Sequence, residues 1–179
     1  MAQRSPKGAK FTSDRRHRYY LWRTWGGKPF VLYLLLNPST ADESDNDPTV
    51  ERCERRARMM GFGGMVVLNI FALVSTDPKG LLSVPDPVGR RNDRYISFFA
   101  TRAGQVVCGW GNHGRHLGRG RQVLQLLDDL GVTPFVFGVT KTSGCHPQHP
   151  LYVSYSRRPY PLTAEVVRSL LEGERNTAS

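Results

Sequence analysis

The sequence predicts an α/β fold, a three-layer α/β/α sandwich around a mainly parallel four-stranded central sheet. Three observations lead there: four short apolar runs of buried-strand character, amphipathic segments of helical spacing between them, and no internal repeat. Strands that alternate with helices favour parallel pairing, because each crossover returns the chain to the same end of the sheet.

In chain order, residues 1–16 are basic, rich in small polar residues, and read as a flexible arm. Arg18-Tyr-Tyr-Leu-Trp-Arg-Thr-Trp25 carries strand-forming aromatics, and Gly26-Gly27 supplies a turn that returns the chain as a hairpin into the buried strand 29–36. That strand stops at Asn37-Pro38 and opens into an acidic loop over 41–47. Asp47-Pro48 starts a helix, since a carboxylate caps free amides and proline presets the first turn. The helix runs to about Met60 on a stripe of Val50, Cys53, Ala57 and Met60, with Glu51–Arg55 and Glu54–Arg58 as pairs one turn apart and Gly61 as its stop.

Residues 65–73 form the second strand, followed by a proline-rich loop over 84–93 and a helix over 94–103. The third strand, 105–111, exits through Gly109-Trp110-Gly111. A helix over 119–130 buries Val123, Leu126, Leu127 and Leu130, and the fourth strand spans 133–140. A loop with two His-Pro pairs, His146-Pro147 and His149-Pro150, precedes a closing helix over 163–172. Residues 17–172 thus read as one domain and 173–179 as a polar tail.

The chain has 179 residues, 39% of them hydrophobic, and carries a net charge of +10 from 25 Lys and Arg against 15 acids. Such a balance favours an anionic polymer, and DNA is the leading partner. Cys53, Cys108 and Cys145 are far apart and odd in number, which argues against a zinc site or a disulfide framework; no metal or cofactor is expected. No apolar stretch approaches the roughly 20 residues of a membrane span, and a cytoplasmic monomer is expected.

Ligands of open α/β sheets sit outside the carboxyl ends of the strands. There Asn37, Ser39, Thr40 and Asp42, Asn69, Trp110-Gly111 and the loop His146 to Tyr152 should converge on one cleft. Other readings stand beside this one. Asn37-Pro38 also suits a turn cap, Asp47 suits a helix cap better than a catalyst, and Trp110 suits either the core or the wall of a base pocket. The run Gly109 to Gly114 lacks the lysine of a phosphate-binding loop, and no serine sits in a nucleophile elbow. Arg90, Arg91, Arg115, Arg119, Arg157 and Arg158 are candidates for the DNA backbone, with Arg15, Arg16, Arg18 and Arg121 in support.

From about Tyr19 to Pro161 the chain resembles the bacterial and phage family called domain of unknown function 1643. The resemblance is carried by Asn37-Pro-Ser-Thr-Ala-Asp42, Asp47-Pro-Thr49, Asn69-Ile-Phe, Asp86-Pro-Val-Gly-Arg-Arg-Asn-Asp93, Trp110-Gly111 and His149-Pro-Leu-Tyr152. More distantly, the arrangement is similar to the uracil-DNA glycosylase superfamily, with a first motif after the first core strand and a His-Pro loop after the last. That similarity implies that Asn37 acts around the attacking water, that Asn69 reads a flipped base, and that His149, or else His146, stabilises the departing base anion. Cleaving an N-glycosidic bond leaves positive charge on the sugar and negative charge on the base. Asn37 with Asp42 would serve the first and His149 the second, with Ser39, Trp110 and Tyr152 around the base.

Ser39-Thr40-Ala41-Asp42 departs from the glycine-rich or Pro-Tyr forms of the first motif, which points away from uracil. The expectation is a monofunctional DNA glycosylase for a damaged or modified base, such as a bulky modified pyrimidine of phage DNA, acting in repair or antiviral defence. The alternatives are a noncatalytic DNA-binding module of the same fold and an enzyme for free nucleotides or nucleosides.

Overall fold

A computed structural model of the chain describes residues 6–141 and 145–173, without the side chains of residues 169, 170 and 173. Seven strands form one sheet: β1 (Lys7–Phe11), β2 (Arg18–Thr24), β3 (Phe30–Leu35), β4 (Gly64–Asn69), β5 (Gln105–Cys108), β6 (Pro134–Val136) and β7 (Tyr160–Pro161). Four helices accompany them: α1 (Pro48–Met59), α2 (Asn92–Ala100), α3 (Arg119–Asp129) and α4 (Ala164–Gly173). The spatial order is β1-β2-β4-β3-β5-β6-β7. The pairs β3/β4, β3/β5 and β5/β6 are parallel, whereas β1/β2, β2/β4 and β6/β7 are antiparallel.

The sheet is therefore seven-stranded and mixed, not four-stranded and mainly parallel. The four runs of the sequence reading are its parallel centre; β2, read from sequence as a hairpin strand, and the unread β1 and β7 lie outside them. Lys7–Phe11, within the segment expected as a flexible arm, pairs with β2; residues 1–5 and 174–179 of the expected arm and tail lie outside the described residues. Its Lys-Gly-Ala-Lys-Phe sequence has no apolar run to betray it, as suits an edge strand protected by charge. The two-residue β7 is too short for any periodicity.

The expected hairpin does not form either. Gly26-Gly27 leads away from β2, and β4 lies between β2 and β3. Both edges of β3 are taken by parallel partners, so Trp25 and Gly26 instead donate to the Gly63 carbonyl, each at 2.9 Å. A side chain at Gly63 would lie 2.5 Å from the Lys28 carbonyl oxygen, so the chains can pass only because that position is glycine.

Period-2 alternation sends β3 to two cores. Leu32 and Leu34 pack with Val66, Leu68, Val106, Ile96, Val123, Leu127 and Val167, beneath α2, α3 and α4. Val31, Tyr33 and Leu35 pack with Met65, Val67, Val107, Val50, Cys53 and Ala57, beneath α1. Asp47 caps α1 as its sequence implies: Oδ1 accepts the Val50 N–H at 2.8 Å. Of the two expected ion pairs on α1, Glu54–Arg58 forms at 2.8 Å, whereas Arg55 stacks on Tyr155.

Because Leu34 is fully buried between two parallel neighbours, Leu34→Ala should lower stability by about 2–5 kcal/mol in urea unfolding, with the denaturant slope unchanged.

Candidate functional site

The loops that follow β3, β4, β5 and β6 meet at the carboxyl edge of the parallel strands around a cleft of about 630 Å³. Asn37, Ser39 and Thr40 come from the first loop, Ser75 and Thr76 from the second, Trp110 and His113 from the third, and Gln148, His149 and Tyr152 from the last. Asp47, Pro48 and Thr49 bring the amino end of α1 into the same wall.

Asn37 is held by its amide. Nδ2 donates to the Ser75 carbonyl at 2.8 Å and to the Pro38 carbonyl at 3.1 Å. Two carbonyl partners require the nitrogen there, so Oδ1 is the atom left to accept a hydrogen bond from a ligand or water.

His149 sits at the start of the short helical turn Pro150–Tyr152, and its Nδ1 accepts the Leu151 N–H at 3.3 Å. Burial pushes its imidazole down to about 4, against the raising effect of the Asp47 carboxylate. A neutral ring whose Nδ1 accepts must carry its proton on Nε2. His149 is thus a neutral hydrogen-bond donor in a wall that also contains a carboxylate.

Asp47 does more than the cap read from sequence. While Oδ1 holds Val50, Oδ2 accepts the Ala41 N–H at 3.4 Å, so one carboxylate joins α1 to the first loop and lines the cleft. Trp110 lies at the cleft with only 1% of its surface exposed, and its buried Nε1 has no hydrogen-bond partner among the described residues. It is packed against Gly114 and Gly120, where any Cβ would collide with the indole. Tyr152, 85% exposed, stands on the rim with its ring 6.0 Å from that of His149.

Several expected site residues lie elsewhere. Asp42 is outside the cleft, and its Oδ1 accepts the Ser44 and Asp45 N–H groups, each at 2.8 Å, in a local turn that holds its carboxyl pKa below the usual carboxylate range. Asn69 is buried at the end of β4, with Oδ1 facing Arg18 at 3.4 Å and its carbonyl accepting from Asn92, so it cannot read a base. Arg119 is buried too; it donates to the Ile70 carbonyl at 2.7 Å and pairs with Asp93, which leaves nothing for a phosphate. His146 is buried outside the lining, its pKa lowered by burial and by Arg115, which makes His149 the histidine of that loop on the cleft. Arg90, Arg91, Arg115, Arg157 and Arg158 are exposed outside the lining.

Asp47, Thr49, Ser75, Thr76 and His113 are lining residues the sequence reading did not place, whereas Gln148 lies in the His146 to Tyr152 loop it put at the cleft. Only the motif Asp47-Pro-Thr49 offered a signal. Among the described residues, no group of three or more His, Cys, Asp or Glu side chains could hold a metal ion.

The folded His149 binds its proton less readily than an unfolded histidine at 6.5, so its contribution to stability is intact above that pH and is lost as pH falls toward 4. The stability difference between wild type and His149→Gln should be constant above 6.5 and should change only as pH falls through that interval. The His149 ring proton signal should titrate near 4 in NMR.

No curated protein and no solved structure matches the chain. The family described as "Protein of unknown function (DUF1643)" matches over residues 18–151, from the start of β2 to the His-Pro-Leu turn of the last loop. That match takes in most of the chain and nearly every loop of the cleft, and the protein belongs to this family.

Proposed function

We propose that the protein is a monofunctional DNA glycosylase that hydrolyses the N-glycosidic bond of a modified base. The observation that carries this reading is one wall holding a neutral imidazole donor, His149, with the Asn37 amide oxygen and the Asp47 carboxylate. In the reaction the bond from C1′ to the base nitrogen breaks, the base keeps the electron pair, water adds to C1′, and the proton that water loses ends on the departing base anion. His149 Nε2–H donates to the base oxygen on which negative charge grows, and being neutral it does so without giving the proton away. Asn37 Oδ1 accepts a hydrogen bond from the attacking water. Asp47 takes the role first given to Asp42, opposing the positive charge that builds on the sugar.

This reading keeps the likeness to the uracil-DNA glycosylase superfamily in its first and last motifs and drops the base-reading role of Asn69. A cleft of about 630 Å³ lined by hydroxyls and amides is far roomier than a bare pyrimidine needs, which favours a bulky modified base; if that base is one of phage DNA, the activity would serve cytoplasmic defence. Extruding the base costs a few kcal/mol, and Tyr152 on the rim offers a stacking face, with exposed Arg90, Arg91, Arg115, Arg157 and Arg158 available to the backbone.

An alkali-dependent nicking assay on DNA containing uracil, hypoxanthine, or plain, hydroxymethylated or glucosylated cytosine tests the proposal. One substrate should be nicked, Asn37→Ala and His149→Gln should each slow the reaction roughly 10²- to 10⁴-fold, and Asp42→Ala should be near wild type. Retained DNA binding with no nicking of any substrate would instead identify a noncatalytic module.

A further inference from the structure

A second pocket, of about 140 Å³, lies beyond the last loop, between the carboxyl half of α1 and residues 155–159. Arg56, Phe137, Tyr155, Ser156, Arg157 and Arg158 line it, and among the described residues no carboxylate does. Arg56 is only 2% exposed, with its guanidinium 4.3 Å from the Phe137 ring centroid and 5.0 Å from that of Tyr155. Arg52 and Arg55 lie 4.2 Å and 4.6 Å over the same Tyr155 ring.

Buried charges are normally paired with opposite charge. Here the acids of α1 are engaged elsewhere: Glu51 accepts from Asn46 at 3.0 Å, and Glu54 accepts from Asn46 at 3.1 Å and Arg58 at 2.8 Å. The groups acting on the Arg56 charge are Tyr33, Arg52, Cys53 and Tyr155, with no carboxylate among them. Its terminal nitrogens donate to the carbonyls of Val153, Ser154 and Arg157 and so hold the loop, but its buried Nε has no partner among the described residues. Loop holding also leaves unexplained why Arg55, Arg157 and Arg158 gather at the same place. Aromatic faces offset part of this positive charge. An anion would offset the rest, and forked guanidiniums suit a phosphate.

We propose that this pocket binds a phosphate group, supplied by the backbone of the strand whose base enters the cleft. The nucleic-acid source rests on the reading of the cleft given above; the anion site does not. The same loop walls the cleft at Gln148 to Tyr152 and the pocket at Tyr155 to Pro159, so a strand following it would run from one to the other.

The test uses the full chain and an unmodified oligonucleotide, with binding measured across a salt series. Ser156 is exposed, and Ser156→Asp places a carboxylate among the arginines. It should raise Tm by about 2 °C or more while reducing the slope of log K against log salt by about 1, opposite signs that a merely structural role would not produce. Arg157→Ala/Arg158→Ala should reduce that slope by about 1–2, while the charge-matched Arg94→Ala/Arg168→Ala, exposed on the α2 and α4 face, leaves it unchanged. Slopes for Ser156→Asp and Arg157→Ala/Arg158→Ala that match the remote variant would overturn the site and leave the nicking result untouched. If wild type fails to bind the oligonucleotide but inorganic phosphate raises its Tm and not that of Ser156→Asp, the anion site stands and the nucleic-acid reading falls. If phosphate has no effect on Tm either, the site falls too.

Discussion

The loops at the carboxyl edge of the sheet hold their shape because buried arginines donate to their main-chain carbonyls. A parallel sheet satisfies its own ladder but leaves the carbonyls of its crossover loops without partners, and a buried carbonyl without a hydrogen bond is costly. Arg18 holds the Ala41 carbonyl at 2.8 Å, Arg23 that of Asp42 at 2.9 Å, and Arg119 that of Ile70 at 2.7 Å. Arg52 and Arg56 do the same for Pro150, Val153 and Ser154. A guanidinium suits this task because its five donors lie in a rigid plane that can serve several acceptors at once. Burial lowers the affinity of Arg18 for its proton to about 10, a measure of how far from water the group has been taken.

Helix α1 is where these clamps meet. Its first turn is capped by Asp47 through the Val50 N–H, while the second Asp47 oxygen holds the first loop, and Arg52 and Arg56 hold the last one. The two loops carrying Asn37 and His149 are therefore referenced to one helix, so their spacing does not depend on the long path of chain between them. The proximity of His149 to Asp47 follows from the same arrangement, as does the balance of burial and charge on the imidazole. The second pocket is the other side of this design: arginines recruited to hold a loop concentrate positive charge where the carboxylates of the helix do not reach.

Part of the net charge of +10 is thereby internal. Arg18, Arg23, Arg56 and Arg119 are buried, so the basic composition that suggests an anionic partner overstates the positive surface. Composition counts a guanidinium without saying whether it faces a carbonyl or water.

The four central strands, α1 with its Asp47-Pro48 start, α3, and the gathering of Asn37, Ser39, Trp110, His149 and Tyr152 were all legible, because each depends on local signals: apolar runs, a cap, helical spacing, and the rule that loops follow strand ends to one side of a parallel sheet. The strand at Lys7–Phe11 and the passage of β2 across to β4 were not, because pairing partners are chosen by which sheet edges remain open once the buried strands have taken theirs. Nor could the sequence separate Asp42 from Asp47 or expose Asn69 as a buried anchor. The two aspartates lie in one acidic loop, and which carboxylate turns inward is decided by α1 docking on the sheet; Asn69 ends a strand as Asn37 does, but Arg18 and Asn92 close over it from elements distant in sequence. Sequence alone determined the four central strands, the capped helix and the kinds of side chain available at the strand ends, since those are properties of neighbours along the chain. Tertiary structure alone decided which of those side chains face the cleft, because that depends on partners brought together only by folding.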